Sequence, residues 1–318
     1  MSCPDCFLGE VSKGQPTGKE LEIHGVQTYV TGPEAGVSPK GIIVYITDAF
    51  GYDFVNNRVL CDQYAKRGFL VYCPDFMNGR SMSPSIIAPM HTILEKKSWL
   101  YTIFVKPFIL VKVLYHLIPW FMTCSIAKTE AGVIKYFTAL RTSPPPFQTR
   151  DLKIGAAGFC WGGKHTVTLA QDYPDHRVTR HSSQSTSSAP EPLIDAAFLV
   201  HPTFIKVPED IDAIKIPISW SVGEEDLQMK TDDIKKMKAI LESKQDAEHE
   251  VILIPGAKHG YAVRTDPEDK VQMAAAEQAE QQAVSWFSRR FTRTPRTDAS
   301  PVVQRPAQDH SASLSSES

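Results

Sequence analysis

The stretch "KIGAAGFCWGGKH" (residues 153–165) decides the fold of this chain. An apolar run of strand length leads into the pentapeptide Gly158-Phe159-Cys160-Trp161-Gly162, and a helical pattern follows. A strand that turns sharply into a helix crowds the positions two before and two after the tip, which explains the two glycines. This is the Gly-x-nucleophile-x-Gly pattern of a nucleophile elbow, with cysteine where serine is more usual. Because a helix N-terminus favours a thiolate, Cys160 is the candidate nucleophile.

Strand-length apolar runs alternate with helical patterns on both sides of this elbow. The alternation predicts an α/β fold, a mostly parallel sheet flanked by helices, and the elbow makes it an α/β-hydrolase arrangement. A helix over "NNRVLCDQYAKRG" is predicted to present Val59, Leu60 and Tyr64 on one face and to end at Gly68. The predicted strands are 41–46, 69–76, 152–158, 194–200, 216–222 and 250–256.

Partners for Cys160 follow later strands, in the order acid and then histidine that α/β-hydrolases use. Asp226 lies in "GEEDLQM", and His259 lies in "AKHGYAV", each just after a predicted strand. Because the carboxyl ends of parallel strands meet at one edge of a sheet, we expect the three side chains to converge. The competing acids in the first of these loops are Glu224 and Glu225.

The composition is typical of a globular enzyme and excludes several other classes. The 318 residues are 42% hydrophobic and can bury a substantial core. A net charge of -2 provides no basic field, so no nucleic-acid partner is expected. The six cysteines lack a disulfide-framework spacing and no signal peptide is apparent, so reduced thiols and a cytoplasmic location are expected. Cys3 and Cys6 form a Cys-x-x-Cys pair without the further ligands of a zinc site, so no metal is expected.

Residues 1–291 are expected to form a single domain with two interruptions. Segment 99–127 is the most apolar part of the chain, but lysines and prolines interrupt it, and each lysine at a bilayer centre would cost about 2.5 to 3.5 kcal/mol. A pair of kinked helices forming a lid-like insert is therefore favoured over membrane contact. Segment 176–192, rich in Ser, Thr and Pro, is expected to be a flexible loop, and 292–318 a disordered C-terminal tail.

The elbow, the acid after a Gly-Glu strand end and "PGAKHGY" together resemble the dienelactone hydrolase (carboxymethylenebutenolidase) family. "CPDCFLGEVSKGQPTGKE", "TDAFGYDFVNNRVLCDQYAKRGFLVYCPDF" and "HGYAVR" are similar to its fungal-type branch in order and spacing. The resemblance implies an α/β-hydrolase fold and a hydrolase that cleaves a small lactone or activated ester. Cys160 would be the nucleophile, His259 the general acid/base and Asp226 the group that orients His259, with a covalent acyl-enzyme between the two half-reactions. It implies no cofactor, a small-molecule substrate as partner, and a monomer or homodimer.

Further site residues are expected around this triad. The backbone N–H groups of Trp161 and Ala49 are candidates for the oxyanion hole. Asp48 stands where the family usually carries a glutamate that contacts the resting cysteine and helps to activate it, although a capping role is an alternative. Candidate pocket residues are His201, Arg264 and Arg80, and a structural role is equally compatible with His201. His165, on the helix after Cys160, is expected to be structural.

Three alternatives to simple hydrolysis stay open at this point. The same triad could transfer the acyl group or close a ring, as in aromatic or polyketide metabolism. The chain could instead be a non-catalytic protein that docks a membrane or a partner through segment 99–127. A low-pKa thiolate at Cys160 could also serve as a redox sensor.

Overall fold

The computed structural model describes residues 11–94, 98–184, 188–245 and 247–292. The Cys3–Cys6 pair lies outside these residues, as does the expected disordered tail beyond Thr292.

One eight-stranded sheet forms the centre of the molecule. Its strands are β1 (Lys19–Ile23), β2 (Val26–Thr31), β3 (Ile42–Ile46), β4 (Leu70–Pro74), β5 (Ile154–Phe159), β6 (Ala196–Val200), β7 (Ile218–Gly223) and β8 (Glu250–Ile254). Their spatial order is β1-β2-β4-β3-β5-β6-β7-β8. The β1–β2 and β2–β4 pairs are antiparallel and all the others are parallel, which confirms the predicted mostly parallel sheet.

Helices cover both faces of the sheet. They are α1 (Val55–Lys66), α2 (Ile87–Leu94), α3 (Trp99–Phe104), α4 (Lys106–Thr123), α5 (Ile126–Thr142), α6 (Trp161–Ala170), α7 (Glu209–Asp212), α8 (Thr231–Ser243) and α9 (Lys270–Thr292). Gly155 of β5 faces Phe287 of α9, whereas Gly158 faces Thr166 of α6. Since residues three apart in a strand point to opposite faces, α6 and α9 lie on opposite sides of the sheet.

Strands β3, β5, β6 and β7 are buried along their whole length. Strands covered on both faces are apolar throughout rather than alternating, which is why "IIVYI" and "AAFLV" carry no polar position. The carboxyl ends of these four strands define the edge at which the candidate site lies.

Two elements differ from the sequence expectations. The β1–β2 hairpin was not predicted, because β1 has no buried residue and β2 buries only Thr28, Tyr29 and Thr31, so neither strand is an apolar run. In α1 the predicted face is wrong in part, since Val59 and Leu60 are only partly buried. The buried residues of the helix are Asn56, Asn57, Cys61, Asp62, Tyr64 and Ala65.

The apolar segment 99–127 forms α3, α4 and the start of α5. Helix α3 has no buried residue, and α4 buries only Val113 and Trp120. Among the described residues no single helix is long and apolar enough to cross a membrane, although α4 and α5, bent by 53° at their junction, meet that requirement together.

The described part of segment 176–192 is anchored at its base. Val178 and Glu191 exchange backbone hydrogen bonds of 3.1 and 2.9 Å. The Arg180 guanidinium forms ion pairs with Asp151 and Asp195. These contacts connect the loop to the start of β5 and to the approach to β6.

Candidate active site

Cys160 occupies the tip of the turn between β5 and α6. Its φ of 50° and ψ of -108° are unusual for a residue with a side chain, and such strain is characteristic of a nucleophile elbow. A Cβ at Gly158 would lie 2.2 Å from Thr166 Oγ1, and one at Gly162 would lie 2.1 Å from the Ile46 carbonyl oxygen. Both glycines are therefore steric requirements of the turn. The cysteine is 4% exposed.

The structure brings His259 and Asp226 into direct contact. His259 Nδ1 lies 3.0 Å from Asp226 Oδ1 and 3.0 Å from Oδ2, and both side chains are fully buried. His259 follows β8 and Asp226 follows β7, so both come from the edge at which β5 ends. The competing acids Glu224 and Glu225 are exposed.

The charge state of His259 depends on its neighbours. Burial acts to lower the pKa of His259, but negative charge at Cys160 and at Asp226, together with hydrogen bonding to both, raises that pKa well above its usual value. Its Nδ1 faces Asp226, and Nε2 has no other hydrogen-bond partner among the described residues. This environment favours the protonated, positively charged form of His259.

Two backbone N–H groups flank the cysteine. Trp161 is the first residue of α6, where helical N–H groups have no intrahelical acceptor, and Ala49 lies in the turn after β3. Within the described part of the chain neither N–H has a hydrogen-bond acceptor. The Ala49 carbonyl accepts a 2.8 Å hydrogen bond from Met82 N–H, which fixes the turn. Both N–H groups therefore remain candidate donors for an oxyanion hole.

Asp48 lies beneath the site and is fully buried. Its Oδ1 accepts hydrogen bonds from Asn57 Nδ2 at 3.0 Å and Phe50 N–H at 3.1 Å, and its Oδ2 pairs with Arg264 Nη1. Burial raises the pKa of Asp48, Arg264 opposes that effect, and the nearby Cys160 charge reinforces it. Asp48 and Cys160 are thus electrostatically coupled.

Arg264 and Arg80, two of the candidate pocket residues, have different surroundings. Arg264 is held by Asp48 and lies over the Phe50 ring at 5.1 Å from its centroid. Arg80 lines a cleft of about 450 Å³ between the loop after β4 and helix α4. The other lining residues are Ser81, Met82, Ser83, Tyr115, His116, Pro119, Trp120 and Thr123.

The cleft is connected to the elbow on both sides. On one side, Met82 N–H donates its hydrogen bond to the Ala49 carbonyl. On the other side, Trp161 Nε1 donates a 2.8 Å hydrogen bond to the carbonyl of Cys124, just beyond α4. Cys124 Sγ in turn lies 3.4 Å from the Arg80 carbonyl oxygen. The walls of the cleft therefore contact the residues that adjoin the candidate nucleophile.

Comparison with known proteins identifies the relationship. The sequence profile of the "Dienelactone hydrolase family" matches residues 26–291. The chain belongs to the dienelactone hydrolase family. It is a hydrolase of the ester and lactone type, as the sequence predicted.

The alignments with individual relatives cover most of this chain and most of each relative. "Hydrolase pyvD" of Aspergillus violaceofuscus is 26% identical over 89% of this chain and 94% of its own length. "Dienlactone hydrolase 1" of Gibberella moniliformis is 22% identical over 89% and 91%. The crystal structure of dienelactone hydrolase from Anabaena variabilis has a TM-score of 0.52 at 17% identity and covers 87% of this chain and 98% of that one, which supports the fold.

His201 lies directly against His259. The ring centroids are 4.9 Å apart and the interplanar angle is 68°. Neither ring nitrogen of His201 has a hydrogen-bond partner among the described residues. Burial, followed by the positive charges of His259 and Arg264, lowers the pKa of His201 well below its usual value. His201 is therefore a neutral ring behind the candidate base.

Sequence reasoning missed Asn57 and Cys124. Asn57 Nδ2 binds Asp48 and the Gly51 carbonyl at 2.8 Å, and its Oδ1 accepts from Tyr45. Nothing in the helical pattern marks a buried asparagine as different from an exposed one, so no sequence signal was available. His165 bonds Thr129 Oγ1 at 3.0 Å, away from the triad. Within the described residues no cluster of three or more His, Cys, Asp or Glu side chains could hold a metal.

Proposed function

We propose that this member of the dienelactone hydrolase family cleaves a small lactone or activated ester with a Cys160–His259–Asp226 triad. The observation that carries the proposal is the buried contact between His259 Nδ1 and both Asp226 oxygens, next to a cysteine at a strained elbow. A carboxylate on one ring nitrogen fixes the tautomer and leaves the other nitrogen for the nucleophile.

In the first half-reaction the Cys160 thiolate attacks the substrate carbonyl carbon. A C–S bond forms and the carbonyl π electrons move to the oxygen, which becomes an oxyanion. The N–H groups of Trp161 and Ala49 would donate hydrogen bonds to that oxyanion. The tetrahedral intermediate collapses with cleavage of the C–O bond to the leaving alkoxide. The His259 imidazolium gives its proton to that oxygen, so an alcohol and a thioester result.

In the second half-reaction water replaces the alcohol. His259, now neutral, takes a proton from water as the water oxygen attacks the thioester carbonyl. Collapse breaks the C–S bond, releases the carboxylic acid and restores the thiolate beside the imidazolium. Asp226 stays ionised throughout and stabilises the imidazolium each time it forms.

The substrate class follows from the charges near the site. Arg264, the cation that could grip a substrate carboxylate, is paired with Asp48 instead. The cleft beside the elbow carries the rings of Tyr115 and Trp120, with Arg80 at its margin. An uncharged lactone or ester with an apolar or aromatic substituent suits this arrangement better than an anionic dienelactone.

The mechanism is tested by trapping the acyl-enzyme. Wild-type protein mixed with p-nitrophenyl acetate at low pH should gain one acetyl group by intact mass, and peptide mapping should place it on Cys160. Cys160→Ala should lose both the adduct and turnover. Cys124→Ala, which leaves the elbow cysteine in place, should still form the adduct. Full turnover by Cys160→Ala would contradict the proposal.

The role of His259 is tested by thiol alkylation. A positive His259 favours the thiolate, so iodoacetamide should modify Cys160 in His259→Ala roughly tenfold more slowly at pH 7 than in the wild type. Equal rates would show that His259 does not act on the cysteine.

A further inference from the structure

Helices α3 and α4 expose an unusually large apolar surface. Of the large hydrophobic side chains that are exposed in the described residues, more than half lie between Trp99 and Met122. Phe108 is 78% exposed, Tyr115 74% and Trp99 69%. Exposed contiguous apolar patches beyond a few hundred Å² mark surfaces that bind a partner or a membrane.

The exposed side chains of α4 form a broad face. Phe108, Val111, Tyr115, Ile118 and Met122 follow one another at spacings of three and four residues, and all are exposed. Leu110, Leu114 and Phe121 extend this row around the helix. At 100° per residue these side chains span roughly 160° of the circumference. A single partner helix would cover a narrower seam, so the width favours an extended apolar phase.

The sequence that carries this surface is richer in lysine than in acidic residues. Glu95 is the only acidic residue between Asp75 and Glu130, whereas Lys96, Lys97, Lys106, Lys112 and Lys128 fall in the same stretch. Lys112 is exposed and borders the apolar row of α4. Helices α3 and α4 contain no Asp or Glu, so a second copy of the two helices would bring no negative charge to pair with Lys112. Anionic lipid headgroups provide the complementary charge.

The helix arrangement indicates that the segment lies on a bilayer rather than spanning it. Helix α4 alone is not long and apolar enough to cross, and it would need α5 to complete a span. Helix α5 buries Val133, Tyr136, Phe137 and Leu140 in the core, so it is not available. An amphipathic helix with aromatic residues on its apolar face and lysine at the border is typical of interfacial binding.

We propose that the α3–α4 face is a membrane-docking surface that inserts into the interfacial layer of a bilayer containing anionic lipid. The proposal rests on this surface alone and is independent of the triad chemistry. Docking through α4 would place the adjoining cleft, lined by Tyr115 and Trp120, at the membrane surface.

Vesicle flotation of the full chain tests the proposal. The protein should float with phosphatidylcholine vesicles that contain phosphatidylserine, and less with phosphatidylcholine alone. Phe108→Glu combined with Val111→Glu should reduce the bound fraction about tenfold or more, because two charges enter the apolar layer. Phe108→Leu combined with Val111→Ile should bind like the wild type. Lys112→Gln should weaken binding to the phosphatidylserine vesicles roughly fivefold.

A matched control adds the same two charges elsewhere. Val37 and Met273 are exposed hydrophobic residues outside the segment, and Val37→Glu with Met273→Glu should leave flotation unchanged. All these variants should hydrolyse a water-soluble activated ester at the wild-type rate, which shows that they are folded. Absence of wild-type flotation with both lipid mixtures would overturn the proposal. So would a concentration-dependent dimer in sedimentation velocity that Phe108→Glu with Val111→Glu dissociates, since the face would then bind protein.

Discussion

At the scale of single residues, the site depends on which carboxylate reaches His259. Three acids follow β7 in succession, and the sequence alone favoured Asp226 without excluding the other two. In the structure Asp226 is buried against the ring, and its Oδ1 also accepts a 2.8 Å hydrogen bond from Gln228 N–H. The turn after β7 points the first two side chains to solvent and the third inward.

Asp226→Asn should lower kcat by roughly 10²- to 10⁴-fold, because an amide fails to stabilise the imidazolium. Steady-state hydrolysis of an activated ester measures the change, and circular dichroism checks the fold. Glu225→Gln is the control, because that neighbouring side chain is exposed, and its kcat should match the wild type. Equal losses of kcat in the two variants would contradict the proposed role of Asp226.

The Asp48–Arg264 ion pair is a second feature at this scale, because both groups are buried. Asp48→Asn should destabilise the protein by about 3 kcal/mol, since it leaves the guanidinium charge buried without its counter-charge. Combining it with Arg264→Met should recover a large part of that loss. Urea unfolding of the single and double variants gives the coupling free energy. Strict additivity would show that the two groups do not stabilise each other.

At the scale of elements, the strand–turn–helix unit of β5 and α6 is the part of the fold that the sequence specifies most directly. Its two glycines are needed because other backbone passes within van der Waals distance of them. Gly162 is in contact with the end of β3, so the elbow also fixes the position of α6 against the sheet.

Gly162→Ala should destabilise the protein by about 3 kcal/mol or more, because the added methyl group would overlap the Ile46 carbonyl. Gly132→Ala is the matched control. Gly132 lies within α5 with no atom within 4 Å of the new Cβ, so this change should stabilise by about 0.5 to 1 kcal/mol. Urea denaturation of both variants measures the difference. An unchanged free energy of unfolding in Gly162→Ala would mean that the turn can relax around the added methyl group.

The elements differ in how far their sequences predict them. The parallel strands and the elbow follow from apolar runs and glycine spacing, because local sterics and full burial leave a clear pattern. The sequence did not predict the β1–β2 hairpin, because few of the hairpin's side chains are buried. The buried face of α1 was misassigned because Asn57 is polar and yet faces Asp48, a contact between parts of the chain that periodicity cannot reveal.

At the scale of the whole molecule, buried histidines make the free energy of unfolding depend on pH. Burial, with a smaller contribution from Lys164, lowers the pKa of His165 to about 3, and His201 is shifted in the same direction. Below pH 6.5 the unfolded chain takes up these protons whereas the folded protein does not. The free energy of unfolding therefore falls as the pH falls.

Between about pH 5.5 and 4, where the unfolded chain carries this proton and the folded protein does not, His165 should contribute a loss of about 1.4 kcal/mol per pH unit. His165→Phe should reduce the measured slope by that amount, because it removes the group that the unfolded state protonates. Thr129 keeps its 3.1 Å hydrogen bond to the Ser125 carbonyl. Urea unfolding at several pH values gives both slopes, and identical slopes in the two proteins would contradict the assignment.

His259 changes the pH dependence of the free energy of unfolding in the opposite direction. Its raised pKa means that its stabilising contribution is present in full below pH 6.5 and is lost as the pH rises through the folded value. The sequence predicted which loops meet at the site, but not this division of the histidines. Burial and neighbouring charge decide it, and both depend on the assembled fold.

The hydrogen bond between Trp161 Nε1 and the Cys124 carbonyl has a mechanical consequence. This hydrogen bond joins the end of α4 to Trp161, the residue after Cys160. A hydrogen bond weakens steeply once its donor and acceptor atoms separate beyond their normal distance. A displacement of the α4 terminus would therefore strain the contact that holds it against the first residue of α6. The indole of Trp161, buried at that joint, provides an intrinsic fluorescent reporter of its motion.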